Sequence, residues 1–205
     1  MTEWMAVDDP GAAARAAEVI GRGGLVILPT DTVYGVGADV WQPEAVAALY
    51  AVKRRPPGRA IPVLLADEED IARVAGSVPE MARRLAAALW PGPLTIVVPK
   101  RPDVPEIVSA LPTVGVRIPD HDAARAVIRA CGGALAGTSA NRSGQPSPLT
   151  AREAASALGE GVALVLDGGT CAGGRPSTVV DVSGGELRIV RPGPLDEAAL
   201  RRAIE

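Results

Sequence analysis

Three polar clusters carry residue types that a catalytic site needs. The first is Lys53-Arg54-Arg55-Pro56-Pro57-Gly58-Arg59. Several cations stand on a turn stiffened by prolines, so little entropy is lost when they are held against a polyanion. An arginine fork matches phosphate or carboxylate, and a lysine supplies a mobile point charge. A helix ending here would account for one charge through its C-terminal dipole and accounts poorly for the rest. The pattern suits triphosphate binding, although basic turns are common on protein surfaces. No P-loop pattern occurs in the chain, so a nucleotide would be held by another device.

The second cluster is the polar segment Thr138 to Pro148, dense in short donors and acceptors. If it is extended, Ser139 and Asn141 point the same way and can meet one ligand together. The third is Pro29-Thr30-Asp31-Thr32-Val33-Tyr34-Gly35-Val36-Gly37, directly after an apolar run. Its hydroxyls and glycines read equally well as a ligand loop or as a turn that reverses the chain. Thr113 and Arg117 are four apart on an expected strand and so share a face. A buried Arg117 needs an anion, which a substrate carboxylate or a protein aspartate would supply. Ser177 follows a glycine-rich stretch, and Arg191 ends another strand; the plain readings of these arginines are an internal salt bridge for Arg117 and ordinary exposure for Arg191. The single histidine, His121, precedes an expected helix and reads as a surface or capping residue, which leaves no Ser-His-acid triad. Asp31, Asp167 and Asp181 form no compact carboxylate cluster, so no metal site of the protein's own is expected.

The elements that must position these groups can be read from periodicity. Helices are expected over 10–21 (capped by Asp9), 43–52, 79–90, 122–131, 151–158 and 195–204. Strands are expected over 25–28, 61–65, 94–98, 114–118, 133–137, 162–166, 177–182 and 186–190, with a loop over 99–113 and a glycine-rich loop over 168–176. Strands and helices mix along the whole chain without a clean βαβ repeat. This predicts an α/β or α+β fold on a twisted mixed sheet, in one domain covering residues 1–205.

Composition narrows the class further. Aromatic residues are only 2% and Phe is absent, so the core must be aliphatic. A net charge of -3 argues against a surface coated for nucleic acid, and the lack of aromatics removes stacking platforms for RNA. Cys131 and Cys171 lie far apart outside any CxxC, which disfavours structural zinc and fits a reducing cytoplasm. No apolar run reaches the roughly 20 residues of a membrane span, and no signal-peptide pattern opens the chain.

Several of these segments, in order, are shared with a known family. The chain resembles the YrdC-like family in Pro29 to Gly37, Lys53-Arg54-Arg55-Pro56, Trp90-Pro91-Gly92-Pro93-Leu94-Thr95, Val116-Arg117-Ile118-Pro119, Thr138 to Gly144, Ser177-Thr178-Val179-Val180-Asp181 and Arg191-Pro192-Gly193. Each motif alone is weak; seven in family order, over about residues 10–195, are strong. The resemblance implies a concave, basic sheet face with helices on the other side. It implies synthesis of L-threonylcarbamoyl-AMP from L-threonine, bicarbonate and ATP with release of pyrophosphate, Mg2+ travelling with the nucleotide. Other proteins would pass the activated group to the tRNA adenosine beside the anticodon, with a transient tRNA contact allowed.

Carried over residue by residue, the resemblance gives threonine to Thr32, Thr113, Arg117, Ser139 and Ser177. It gives ATP to Arg55, Asn141, Ser147 and Arg191. Lys53 belongs to the family's Lys-x-Arg signature, and Lys53 with Arg55 would stabilise the charge that grows on the phosphates. No covalent intermediate is needed, so catalysis is expected to be positional and electrostatic. This chain departs from the pattern at Arg59-Ala60, where many relatives carry Asn or Lys then Pro, and at Leu64, where some carry His. A carbamoyl-adenylate paralogue is the rival within the fold, disfavoured by the lack of zinc-finger-like cysteines; a nonenzymatic RNA-binding module is the rival outside it.

Overall fold

The structure is a computed structural model describing residues 1–205. Its frame is one mixed sheet of ten strands in the order β1-β8-β2-β3-β7-β4-β6-β5-β9-β10. The strands are β1 (Glu3–Ala6), β2 (Val26–Leu28), β3 (Gly35–Asp39), β4 (Val63–Leu65), β5 (Leu94–Pro99), β6 (Thr113–Arg117), β7 (Ala134–Ser139), β8 (Leu164–Asp167), β9 (Thr178–Asp181) and β10 (Arg188–Arg191). The helices are α1 (Ala12–Gly21), α2 (Pro43–Lys53), α3 (Glu80–Leu89), α4 (Asp122–Ala130), α5 (Ala151–Leu158) and α6 (Glu197–Arg202). None is long and apolar enough to cross a membrane.

Alternation along the central strands sorts side chains onto two faces. Leu94, Ile96 and Val98 of β5, Val114 and Val116 of β6, and Ala134 and Ala136 of β7 enter one aliphatic core. Leu49 of α2, Leu85 of α3, Ala154 of α5 and Leu200 of α6 cover that core. The opposite face is covered at one end only. There Ala12, Ala16, Val19 and Ile20 of α1 and Ala124, Val127 and Ile128 of α4 pack on Val26, Leu28, Leu164 and Leu166. Helices therefore flank the mixed sheet, as expected. The rest of that second face, over β3, β7, β4, β6, β5 and β9, carries glycines and polar side chains together with Leu64, Val97 and Val179, and stays open.

Two strands escape the periodicity reading. β1 is an edge strand of four residues, too short to show a period, and its Trp4 is still 48% exposed. β3 contains Gly35 and Gly37, which disfavour a strand by themselves. It forms because β2 and β7 hold it on both sides, with Gly37 opposite Gly137. A Cβ at Gly37 would overlap the Leu135 side chain, and one at Gly137 would lie 2.8 Å from Leu64 Cδ1. The two leucines occupy the space that the glycines leave, so Leu64 is a packing residue at the border of the open face. A 3-10 helix at Glu68–Arg73 also falls where no element was expected, closed by a reciprocal Asp67–Asp70 capping box. α1 starts two residues later than expected, with Gly11 at its N-cap and Asp9 accepting from the Gly11 N–H at 2.7 Å. His121 caps α4 as expected, its Nδ1 accepting from the Ala124 N–H at 3.3 Å.

Candidate active site

The open face holds a cavity of about 610 Å³. Its floor is low because Gly35, Gly115 and Gly137 replace side chains with backbone, and its walls combine Thr, Ser and Arg with apolar residues such as Val97, Leu111 and Val179. Of the expected residues, Thr32, Arg55, Thr113, Arg117, Ser139, Ser177 and Arg191 line it. Lys53, Asn141 and Ser147 do not.

The loop after β2 brings Thr32 to the cavity by folding on itself. Thr30 Oγ1 donates to the Val33 carbonyl at 2.7 Å and accepts from the Thr32 N–H at 3.2 Å. Both readings of this segment thus hold together: it is a turn, and it lines the cavity. Arg117 reaches it from β6, where Thr113 and Gly115 share its face. Arg117 is 5% exposed, and each of its three guanidinium nitrogens has a partner. Nε donates to the Gly92 carbonyl at 2.9 Å, Nη1 to Thr32 Oγ1 at 3.0 Å and Nη2 to Asp31 Oδ1 at 2.6 Å. The anion that a buried Arg117 demanded is therefore the protein's own Asp31, and the guanidinium is oriented before any ligand arrives.

Ser177 is buried at the start of β9. Its Oγ lies 2.8 Å from Thr95 Oγ1 and accepts from Arg191 Nη2 at 3.1 Å. Arg191 also grips the Ser177 carbonyl, at 2.8 Å from Nη2. Thr95 was missed as a functional residue, and the alternation Leu94-Thr95-Ile96 was its signal: the one hydroxyl in an apolar strand points away from the core. Arg188, which lines the rim and pairs with Asp181 at 2.8 Å, had no such signal because β10 is short and mostly exposed.

Arg55 is placed by the end of α2. Arg54 takes a left-handed conformation at φ 49°, ending the helix so that Lys53 turns inward and Arg55 toward the cavity. Arg55 Nε donates to the Arg59 carbonyl at 3.1 Å and Nη2 to the Ala60 carbonyl at 2.8 Å. Lys53, expected to face phosphate, is corrected by its burial. It is 1% exposed, and its ammonium donates to the carbonyls of Ser139 and Asn141, the latter at 2.5 Å. It anchors the chain leaving β7 from behind. The expectation that Ser139 and Asn141 project together is corrected too. β7 ends at Ser139, and the Asn141 amide turns back to the carbonyls of Arg142 and Gln145 at 2.9 and 2.7 Å. Asn141 Oδ1 and Ser143 Oγ are left buried without partners. Ser147 is half-buried off the cavity.

The electrostatics favour an anion. Arg55, Arg59, Arg117, Arg188 and Arg191 line the cavity against a single lining carboxylate, Asp181. Asp31 offsets Arg117 and Asp181 offsets Arg188; Arg55, Arg59 and Arg191 have no carboxylate partner. Burial lowers the guanidinium pKa of Arg55, Arg191 and Arg117, and neighbouring cations add to it. Arg59 acts on Arg55, Arg55 on Arg191, and Arg191 on Arg117. Guanidinium stays charged throughout, so these side chains form a continuous line of positive charge that an anion would relieve.

A mixed α/β sheet with an arginine-lined cavity carrying several hydroxyls has the charge and size to suit a small polyanionic molecule. Comparison with known proteins specifies it. The family model for the Sua5/YciO/YrdC domain, described as "Telomere recombination", matches residues 18–193, and the chain belongs to this family. The threonylcarbamoyl-AMP synthase of Bacillus subtilis is 36% identical over 206 residues, covering 100% of this chain and 59% of its own length. A relative from Mycobacterium tuberculosis (strain H37Rv) is 40% identical over 209 residues, covering 100% of this chain and 96% of its own length. Among solved structures, Pyrococcus abyssi Sua5 complexed with L-threonine superposes with a TM-score of 0.92 at 35% identity. That match covers 100% of this chain and 60% of the Pyrococcus chain. The chain thus spans about three fifths of these two longer proteins and nearly all of the mycobacterial one.

Proposed function

We propose that this chain is an L-threonylcarbamoyladenylate synthase: a nucleotidyltransferase that joins L-threonine, bicarbonate and ATP into L-threonylcarbamoyl-AMP and pyrophosphate. The observation that carries the proposal is the line of arginines lacking carboxylate partners beside a wall of hydroxyls in one cavity. The related names and the threonine-bound Pyrococcus structure support it. Residues 1–205 act as one catalytic domain in this reading, in the cytoplasm. The product goes to transferase proteins that modify the tRNA adenosine beside the anticodon.

Threonine occupies the end of the cavity at Arg117. Its carboxylate meets the cationic edge, and its hydroxyl and amine lie among Thr32, Thr113, Ser139 and Ser177. The amine nitrogen forms a bond to the bicarbonate carbon, and water leaves to give the carbamate. A carbamate oxygen then attacks the α-phosphorus, and the bond to the bridging oxygen of pyrophosphate breaks. Arg55 and Arg191 hold the phosphates, and their charge is worth most as negative charge moves to the departing oxygen. Lys53 contributes by anchoring the chain that presents Ser139. Asn141 and Ser147 complete the nucleotide side only if the turn after β7 opens toward the ligand. Mg2+ enters as a companion of the nucleotide. The chain offers it no group of three or more potential ligands, and Arg188 already pairs with the cavity's Asp181.

The test is incubation with ATP, bicarbonate and single amino acids while pyrophosphate is followed. Release that needs both threonine and bicarbonate supports the proposal. Release without either, or tight RNA binding with no release, overturns it.

A further inference from the structure

Thr95 and Ser177 form a pair of buried hydroxyls that both line the cavity, their oxygens 2.8 Å apart. Thr95 is held in place by its neighbours. A Cβ built on Gly115 would lie 3.1 Å from Thr95 Cγ2, so the methyl occupies space that the glycine leaves. In the pairing of β5 with β6, Ile96 stands opposite Val116 and Val97 opposite Gly115. Thr95 and Arg117 are therefore neighbours on the cavity face. Thr95 thus stands between Arg117, at the threonine end, and Ser177, which Arg191 of the phosphate end also touches.

The hydrogens of this pair define what it can bind. A hydroxyl has one hydrogen to donate and two lone pairs. The bond between the two hydroxyls uses one hydrogen, whichever atom donates it. Arg191 Nη2 fills a lone pair of Ser177 Oγ at 3.1 Å, and neither hydroxyl meets a further partner. One hydrogen remains, and the cavity is where it can be used. An acceptor oxygen facing Ser177 selects the arrangement in which Thr95 donates to Ser177 and Ser177 donates onward. A carbamate joined to the threonine amine and reaching for the α-phosphorus lies at this junction of the two ends. We infer that Thr95 is a positioning residue that aims the Ser177 hydroxyl at the carbamate oxygen that does not attack phosphorus; this rests on the adenylating reading of the cavity. A carbamate spreads its charge over two equivalent oxygens. A donor fixed on one of them leaves the other turned to the phosphorus.

The experiment is steady-state pyrophosphate release by the full chain, with threonine, bicarbonate and ATP each varied. It compares wild type, Thr95→Val, Thr95→Ala, Thr95→Ser, Ser177→Ala and the double variant Thr95→Val with Ser177→Ala. Valine keeps the branching of threonine and suits a strand, while alanine removes the hydroxyl without adding volume. Either should lower kcat roughly tenfold, the scale of one hydrogen bond, with the KM for threonine and for ATP within about twofold of wild type. Thr95→Ser should recover most of the loss. In the Ser177→Ala background, Thr95→Val should cost nothing further, because the hydroxyl that it aims is gone. Unchanged kcat without the Thr95 hydroxyl, an equal loss in Thr95→Ser, or losses that multiply in the double variant overturn the inference alone. Wild type whose release does not depend on threonine and bicarbonate overturns it together with the adenylating reading.

Discussion

The guanidinium of Arg117 lies 2.6 Å from the carboxylate of Asp31, with the two side chains only 6% and 14% exposed. A strand from the middle of the sheet and the loop after β2 are thereby locked together at the floor of the cavity. Breaking a buried pair of this kind costs roughly 3–5 kcal/mol, because the remaining charge is stranded. Asp31→Ala should lose stability on that scale, and Asp31→Ala with Arg117→Ala should lose less than the sum of the singles. Urea titration of the four proteins measures the coupling, and simple additivity would remove the pair from the account.

The same arginine serves the proposed threonine end. Arg117→Lys retains the charge but lacks the planar fork that reaches Gly92, Thr32 and Asp31 at once. It should raise the KM for threonine at least tenfold, with little change in the KM for ATP. Arg55→Ala should do the reverse. Steady-state kinetics with each substrate varied decides this, and parallel shifts in both constants would show that neither placement holds.

Lys53 gives a pH signature. Burial, with help from the nearby Arg55 charge, lowers its pKa to about 8, while an unfolded lysine titrates near roughly 10.4. Between those values the unfolded chain binds a proton that the folded chain lacks, so this group makes stability rise with pH across that window. Below about pH 8 the buried charge is present in full and the contribution is flat. Lys53→Met should abolish the slope between pH 8 and 10 and also lower turnover, because the Ser139 and Asn141 carbonyls lose their donor. Chemical denaturation at pH 7.5 and 9.5 compares the two proteins; equal slopes would mean that Lys53 keeps an ordinary pKa.

The cavity floor can be raised without disturbing the sheet. A Cβ at Gly35 meets nothing closer than 3.5 Å, and a β-branched side chain suits a strand. Gly35→Val should therefore change stability by less than about 1 kcal/mol while filling part of the cavity and abolishing pyrophosphate release. Thermal unfolding and the release assay, run on the same preparation, separate the two effects.

Tyr34 links the site to the glycine-rich loop. Its hydroxyl donates to the Gly169 carbonyl at 2.8 Å and accepts from the Gly168 N–H at 3.0 Å, and burial pushes its pKa up to about 12. Tyr34→Phe removes both hydrogen bonds to glycines that are themselves exposed and should cost about 0.5–1.5 kcal/mol. Hydrogen exchange at Gly168 and Gly169 should quicken in the variant; unchanged exchange there would mean that the loop is held by other contacts.

Much of this protein was legible before any coordinates. Helices α2, α3 and α5 fell within a residue or so of their observed bounds because proline and glycine signals end them and apolar spacing fills them. The Thr113–Arg117 pairing followed from strand alternation, and the need of Arg117 for an anion followed from its burial among Val and Ile. The motifs in order identified the family, and most of the residues assigned to threonine and nucleotide do line one cavity.

What the chain alone left open was decided by long-range contact. Whether Arg117 is answered by a substrate or by Asp31 depends on two segments 86 residues apart meeting. Lys53 reads as a phosphate cation until the end of β7 is placed against it, whereupon two carbonyls claim its ammonium. β3 is no strand by propensity, and it becomes one because neighbours on both sides pair its backbone and Leu135 fills the space over Gly37. Local sequence sets what each residue can do; only the packing of distant strands sets which partner reaches it first.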